Sequence, residues 1–309
     1  MIRSWLEFGL RHGSSLLAAS LAVGIAIPPL AASVRPAITF VVVTLMGLVL
    51  LRTDFRVIFR LLRSPSLMAA LALWLMVAAP LLAYALTLLF GIEGTDQAGL
   101  VVLATGCAAT SAPAFARLVG LDPQLSIVAS VGSTLLVPIT APPLALGLLG
   151  IDLALSLQAL MGRLALVVGL PLLVSLAVRR ITPPPLLLHW GRAIDGAAVW
   201  CVVLYGLAVM DGVQAAALAR PAVFARSLAL AFAGSYGLNI VTALAFLPFG
   251  RTTALTTGLL SGNRNMSLYL AVLPGDTDRA ILLFLALCQF PLLLSPFLLR
   301  PIYRRLMAR

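Results

Sequence analysis

Apolar stretches of bilayer-spanning length follow one another along almost the entire chain, and that succession excludes most folds. They run roughly over 14–33, 37–51, 66–90, 98–119, 123–148, 157–178, 194–210, 221–247, 252–273 and 279–299. A hydrocarbon core about 30 Å thick needs about 20 largely apolar helical residues to cross it, so the second and seventh stretches are short. With 61% hydrophobic and only 10% charged residues, the chain lacks the polar surface of a soluble fold. The predicted fold class is an all-α membrane protein of ten transmembrane helices.

Charge fixes an expected orientation. The net charge of +11 would suggest nucleic acid in a soluble protein; here membrane topology explains it, and no nucleic-acid partner is expected. With the N-terminus in the cytoplasm and ten spans, fifteen arginines fall on the cytoplasmic side, among them Arg52, Arg56, Arg60, Arg63 and Arg309, against five opposite. That asymmetry predicts a multi-pass protein of the inner, cytoplasmic membrane with both termini cytoplasmic. The cluster from Arg52 to Arg63 is expected to set topology and touch anionic lipid. Residues 14–33 are expected to stay as the first span, since no clear cleavage site follows them. Cys107, Cys201 and Cys288 all fall in apolar stretches without metal spacing.

Two stretches carry polar interruptions near their middles. The fourth contains Gly106-Cys107-Ala108-Ala109-Thr110-Ser111-Ala112-Pro113, and the ninth contains Ser261-Gly262-Asn263-Arg264-Asn265-Met266-Ser267. Their centres, Thr110 and Arg264, lie 154 residues apart, half of the 309-residue chain. Paired interrupted helices of opposite orientation point to an inverted repeat of five plus five helices, 1–152 and 153–309, joined near Asp152. Unwound backbone at mid-bilayer depth is tolerated only where it lines a cavity or is buried in protein. Arg264 is the costliest residue of the chain, at about 2.5–3.5 kcal/mol or more in a bare bilayer. No acidic residue lies deep in any other apolar stretch, which points to an anionic ligand.

The run Leu125-Ser126-Ile127-Val128-Ala129-Ser130-Val131-Gly132-Ser133-Thr134-Leu135-Leu136-Val137-Pro138 after Leu118-Val119-Gly120-Leu121-Asp122, with Gly262, Asn265, Leu268 and Pro80, resembles the bile acid:sodium symporter family over nearly the whole chain. The resemblance implies a core domain from spans 3–5 and 8–10 (about 66–148 and 221–299) and a panel domain from spans 1, 2, 6 and 7. It also implies substrate binding with alternating access. Position by position, the implied sodium sites are eroded. Ser126 and Ser130 match the hydroxyl ligands, but the Ser-Asn pair of the fourth span reads Ala112-Pro113. The expected Glu is Leu260, the Gln before the ninth-span Asn is Arg264, and the third-span Gln is Leu75. No cofactor is therefore expected, and sodium coupling at these positions is disfavoured.

The candidate substrate-binding residues are Arg264, Asn265, Asn263, Thr110 and Ser111, with Ser126 and Ser130 as residual ion-site positions. Each has a plainer alternative. Arg264 could cap carbonyls freed in the break, and Asn263 and Asn265 could satisfy unwound backbone. Thr110 and Ser111 could bond to the preceding turn, and Ser126 and Ser130, on one helix face, could be packing residues. The expected function is a secondary transporter of small organic anions, carboxylates or sulfonates, uncoupled from sodium at the usual sites. A sodium symporter of the same family and a ligand-binding sensor derived from a transporter are the alternatives. An intramembrane enzyme is not expected, because no interior His, Asp or Glu, G-x-S-x-G or H-E-x-x-H is present.

Overall fold

The computed structural model describes residues 2–53, 65–149, 155–274 and 277–307. Arg56, Arg60, Arg63, Asp152 and Arg309 lie outside these residues. The described chain is helical apart from one two-stranded pairing. Among the described residues, seven helices are long and apolar enough to cross a membrane.

The N-terminal boundaries differ from the expected 14–33 and 37–51. Helix α1 (Ile2–Ala26) is kinked at His12, and the chain breaks at Ile27 ahead of α2 (Pro28–Val34). Pro28 and Pro29 cannot continue a helix but suit the first turn of a new one. Beyond α2, one 3-10 turn containing Pro36 leads into α3 (Ile38–Arg52). The interruption therefore sits at the proline pair rather than near Arg35.

The third stretch forms α4 (Pro65–Leu73), a π-turn over Trp74–Ala78 and α5 (Ala79–Leu89). The fourth splits into α6 (Gly94–Thr105) and α7 (Ala112–Val119), around strand β1 (Cys107–Ala108). Then follow α8 (Pro123–Leu149), α9 (Leu157–Ile181), α10 (Pro184–Val209), α11 (Val213–Ala219) and α12 (Pro221–Ala245). Helix α10, over the seventh stretch, begins ten residues earlier than expected, so Asp195 lies well inside it. The ninth stretch splits into α13 (Arg251–Gly262) and α14 (Ser267–Val272), around strand β2 (Arg264–Asn265). Helices α15 (Arg279–Leu287), α16 (Gln289–Leu298) and α17 (Arg300–Met307) complete the chain.

The helices sort into two compact units. One contains α1–α3, most of α9, α10, α11 and α14. Its α1–α10 contact is built on small residues: a Cβ added at Gly196 would stand 2.6 Å from the Leu6 carbonyl, and one at Gly24 2.8 Å from that of Leu207. Close helix approach of this kind replaces the hydrophobic effect where the surroundings are themselves apolar. At one end Arg52 donates from Nε to Asp195 Oδ1 at 2.8 Å and from Nη2 to Oδ2 at 3.2 Å. Arg52 thus has a protein carboxylate as partner rather than lipid alone. In the same unit α14 is tied by Thr39 Oγ1 donating to the Ala271 carbonyl at 2.8 Å and Arg163 Nη1 to that of Val272 at 3.0 Å.

The second unit contains α4–α8, α12, α13, α15–α17 and the strand pair. Gly258 and Gly262 let α13 lie directly on α12, since a Cβ at either would meet an α12 carbonyl at 2.6 Å. Helix α17 inserts Tyr303 among Phe115, Val119 and Leu259, where its hydroxyl donates to Asn239 Oδ1 at 2.9 Å. Burial pushes the Tyr303 phenol up, which keeps it a donor throughout the neutral range.

Candidate functional site

Both breaks arise from local chemistry. Helix α6 stops at Gly106, whose ψ of 158° is extended. Pro113 falls in the first turn of α7, so it starts the second half-helix rather than removing a bond inside one long helix. In the ninth stretch Asn263 (φ −101°, ψ 83°) ends α13. The two extended segments then satisfy each other. Cys107 pairs with Asn265 and Ala108 with Arg264, antiparallel, and the Ala109 N–H donates to the Asn263 carbonyl at 2.8 Å. Unwound backbone buried this deeply must find such partners.

Arg264 lies at the centre of this crossing and is 1% exposed. Its Nη1 donates to the carbonyls of Leu75 at 2.9 Å and Gly106 at 2.8 Å. Its Nε donates to the Ser261 carbonyl at 2.8 Å, and Nη2 reaches Ser261 Oγ at 3.3 Å. Each acceptor has a reason to be open. Gly106 caps the C-terminus of α6 and Ser261 is in the last turn of α13, where carbonyls lack intrahelical donors. In the π-turn the Ala79 N–H reaches back five residues to Trp74. The next donor in that register is residue 80, a proline with no N–H, which leaves the Leu75 carbonyl open.

The guanidinium therefore stands at the negative, C-terminal ends of two half-helices. This placement follows from Arg264 lying after α13 and folding back onto the turn it has just left.

The remaining candidates divide. Asn263 is 3% exposed and its Oδ1 accepts from Ser295 Oγ at 2.7 Å; its side chain ties α13 to α16. Thr110 is half-buried and Ser111 exposed, at the start of α7. Asn265 is half-buried at the opposite end of the strand pair, where the Met266 side chain crosses Gly106. The five positions thus form no single cluster: a buried centre (Arg264, Asn263) has more open residues at its two ends.

The serines of α8 behave differently from one another. Ser130 Oγ donates to the Ala109 carbonyl at 3.1 Å, inside the break, whereas Ser126 Oγ donates to the Asp122 carbonyl, just ahead of its own helix, at 2.9 Å. Ser133, which sequence reasoning did not single out, accepts from the Ala108 N–H at 3.0 Å. Its i+3 spacing from Ser130 was the available signal. Leu75, Leu260 and Ala112, three positions where the resembled family carries ion ligands, belong to one buried apolar cluster with Leu71, Leu125 and Ala129.

Sequence reasoning also missed Asp96. Helix α6 begins at Gly94, so Asp96 lies in its first turn, 3% exposed. Arg226 Nη2 is 2.6 Å from its Oδ2, and Ser227 Oγ donates to Oδ1 at 2.7 Å. No protein-family model and no curated protein matches this chain.

Proposed function

We propose that this protein is a secondary carrier of small organic anions, carboxylates or sulfonates, of the bile acid:sodium symporter type, working by alternating access in the cytoplasmic membrane with both termini inside. One observation carries the reading: the Arg264 guanidinium occupies a ring of carbonyl oxygens from three separate segments. Carbonyls gathered at helix breaks make a cation site, and here the cation is covalently attached.

A free sodium ion in the same region would meet a fixed positive charge. At about 4 Å and an effective dielectric constant near 20, the repulsion is about 4 kcal/mol, close to a thousandfold in affinity. The apolar packing of Leu75, Leu260 and Ala112 supports the same conclusion, because it supplies no oxygen ligands. Transport is thus independent of sodium at the family's usual positions.

The anion is read at the rim of the crossing rather than at its centre. Thr110 and Ser111 precede the positive N-terminal end of α7, and Asn265 offers an amide at the other end. Arg264 contributes the charge that makes the region attractive to an anion, while its own N–H groups hold the carbonyls. Asn263 acts through Ser295 as a brace.

The test is counterflow in proteoliposomes, using an anion first identified by thermal shift against small carboxylates and sulfonates, a shift expected for anything that binds only the folded state. Exchange is expected with sodium replaced by choline. Steep sodium dependence would restore the symporter reading, and binding without counterflow would identify a sensor.

A further inference from the structure

Helices α5, α6 and α12 leave an apolar groove of ≈ 170 Å³ on the second unit. Its α12 wall is Leu230, Ala233, Gly237 and Val241, recurring at three- and four-residue spacing on one helix face. Gly237 is the reason the groove exists: a Cβ there would meet nothing within 4 Å. The neighbouring Gly234 is different, because Leu100 already fills its space at 2.6 Å.

Length and charge select an occupant. From Leu230 to Val241 the groove runs about 16 Å along the helix axis, close to half of the roughly 30 Å hydrocarbon core and so the depth of one leaflet. Its facing wall includes Leu86, 36% exposed, and Phe90, 71% exposed. Both α5 and α12 belong to helices long and apolar enough to cross a membrane, so the medium beside the groove is hydrocarbon. One turn before Leu230, on the same face, stands Arg226. Its side chain is 67% exposed and is steadied from behind by the buried Asp96. A fixed guanidinium with its outer edge open suits a phosphate oxygen.

We infer that this groove holds one acyl chain of an anionic phospholipid whose phosphate is engaged by Arg226. The inference depends on membrane embedding and not on the transport reading above.

The probe is phosphatidylglycerol, titrated into delipidated protein against phosphatidylcholine and read by native mass spectrometry. A second form of the same lipid carries a diazirine in its acyl chain for crosslink mapping. One retained phosphatidylglycerol is expected, preferred about fivefold over phosphatidylcholine, the contribution of one basic residue at an anionic headgroup. Crosslinks should fall within 82–92 and 230–241. Gly237→Leu adds a side chain at a position where a Cβ meets nothing within 4 Å, and it should lose the retained lipid while keeping its helical circular dichroism and monodisperse elution.

Equal retention of the two lipids, crosslinks spread evenly over the helices, or wild-type retention by folded Gly237→Leu would each overturn the assignment in favour of unspecific annular lipid. Should Gly237→Leu not fold, the crosslink map of the unaltered chain decides alone.

Discussion

Replacing Arg264 by alanine tests what the guanidinium does, and the structure sets the scale. The side chain donates to the carbonyls of Leu75, Gly106 and Ser261, all in a region closed to bulk water. A buried acceptor left without its donor costs about 1–3 kcal/mol. Two effects oppose that loss. The variant no longer buries a charge, itself worth several kcal/mol per ion, and the vacated space has enough polar partners to take water. The net destabilisation is expected at about 2–4 kcal/mol, a fall of roughly 3–6 °C in apparent melting temperature for a chain of this size. The assay is a thermal shift of the detergent-solubilised variant with guanidinium chloride at concentrations far below denaturing. Free guanidinium at about ten times its dissociation constant should return about 1.4 kcal/mol. Urea, nearly the same shape without the charge, should return much less. An Arg264→Ala protein that melts like wild type, or is rescued equally by urea and guanidinium, would show that the carbonyl ring does not need a cation.

Two further substitutions test the packing that positions the site. Gly262→Ala places a Cβ 2.6 Å from the Ser235 carbonyl and 2.7 Å from the Asn239 Cβ. It should destabilise by about 1–3 kcal/mol in a thermal melt, whereas Gly132→Ala, with open space around it, should be neutral. At the other polar cluster, Arg226→Ala leaves the buried Asp96 carboxylate without its counter-ion, and Asp96→Asn does not. The first should cost about 1–3 kcal/mol in the same melt and the second clearly less; the opposite order would mean that the pair contributes only a surface interaction.

How much of this was legible in the sequence depends on whether the chemistry lies in side chains or in the main chain. The apolar stretches and both polar interruptions are side-chain signals, and helices and breaks occur at those places. The proline pair Pro28–Pro29 was equally visible but was read as part of a span, which misplaced the first boundary. Arg264 could be identified as a buried charge, yet its partners are carbonyl oxygens, and every residue has one. Only Pro80 hinted that the Leu75 carbonyl would be open, and that hint needs the π-turn register to be known. The sign of the helix ends around Arg264 depends on which way its side chain folds back, which spacing does not encode. Asn263 looked like a ligand because Ser295, its partner, is 32 residues away. Asp96 falls outside the apolar run beginning at 98, and the earlier start of its helix at Gly94 is not a hydrophobicity signal.

Counterflow in sodium-free proteoliposomes is the most direct measurement of the central proposal, that the chain is an anion carrier in which a tethered guanidinium stands in place of loose cations. Labelled anion should exchange at the same rate in choline as in sodium, and Arg264→Ala should abolish that exchange while still inserting as a folded protein. Exchange that collapses on sodium removal, or that survives intact in Arg264→Ala, would contradict it.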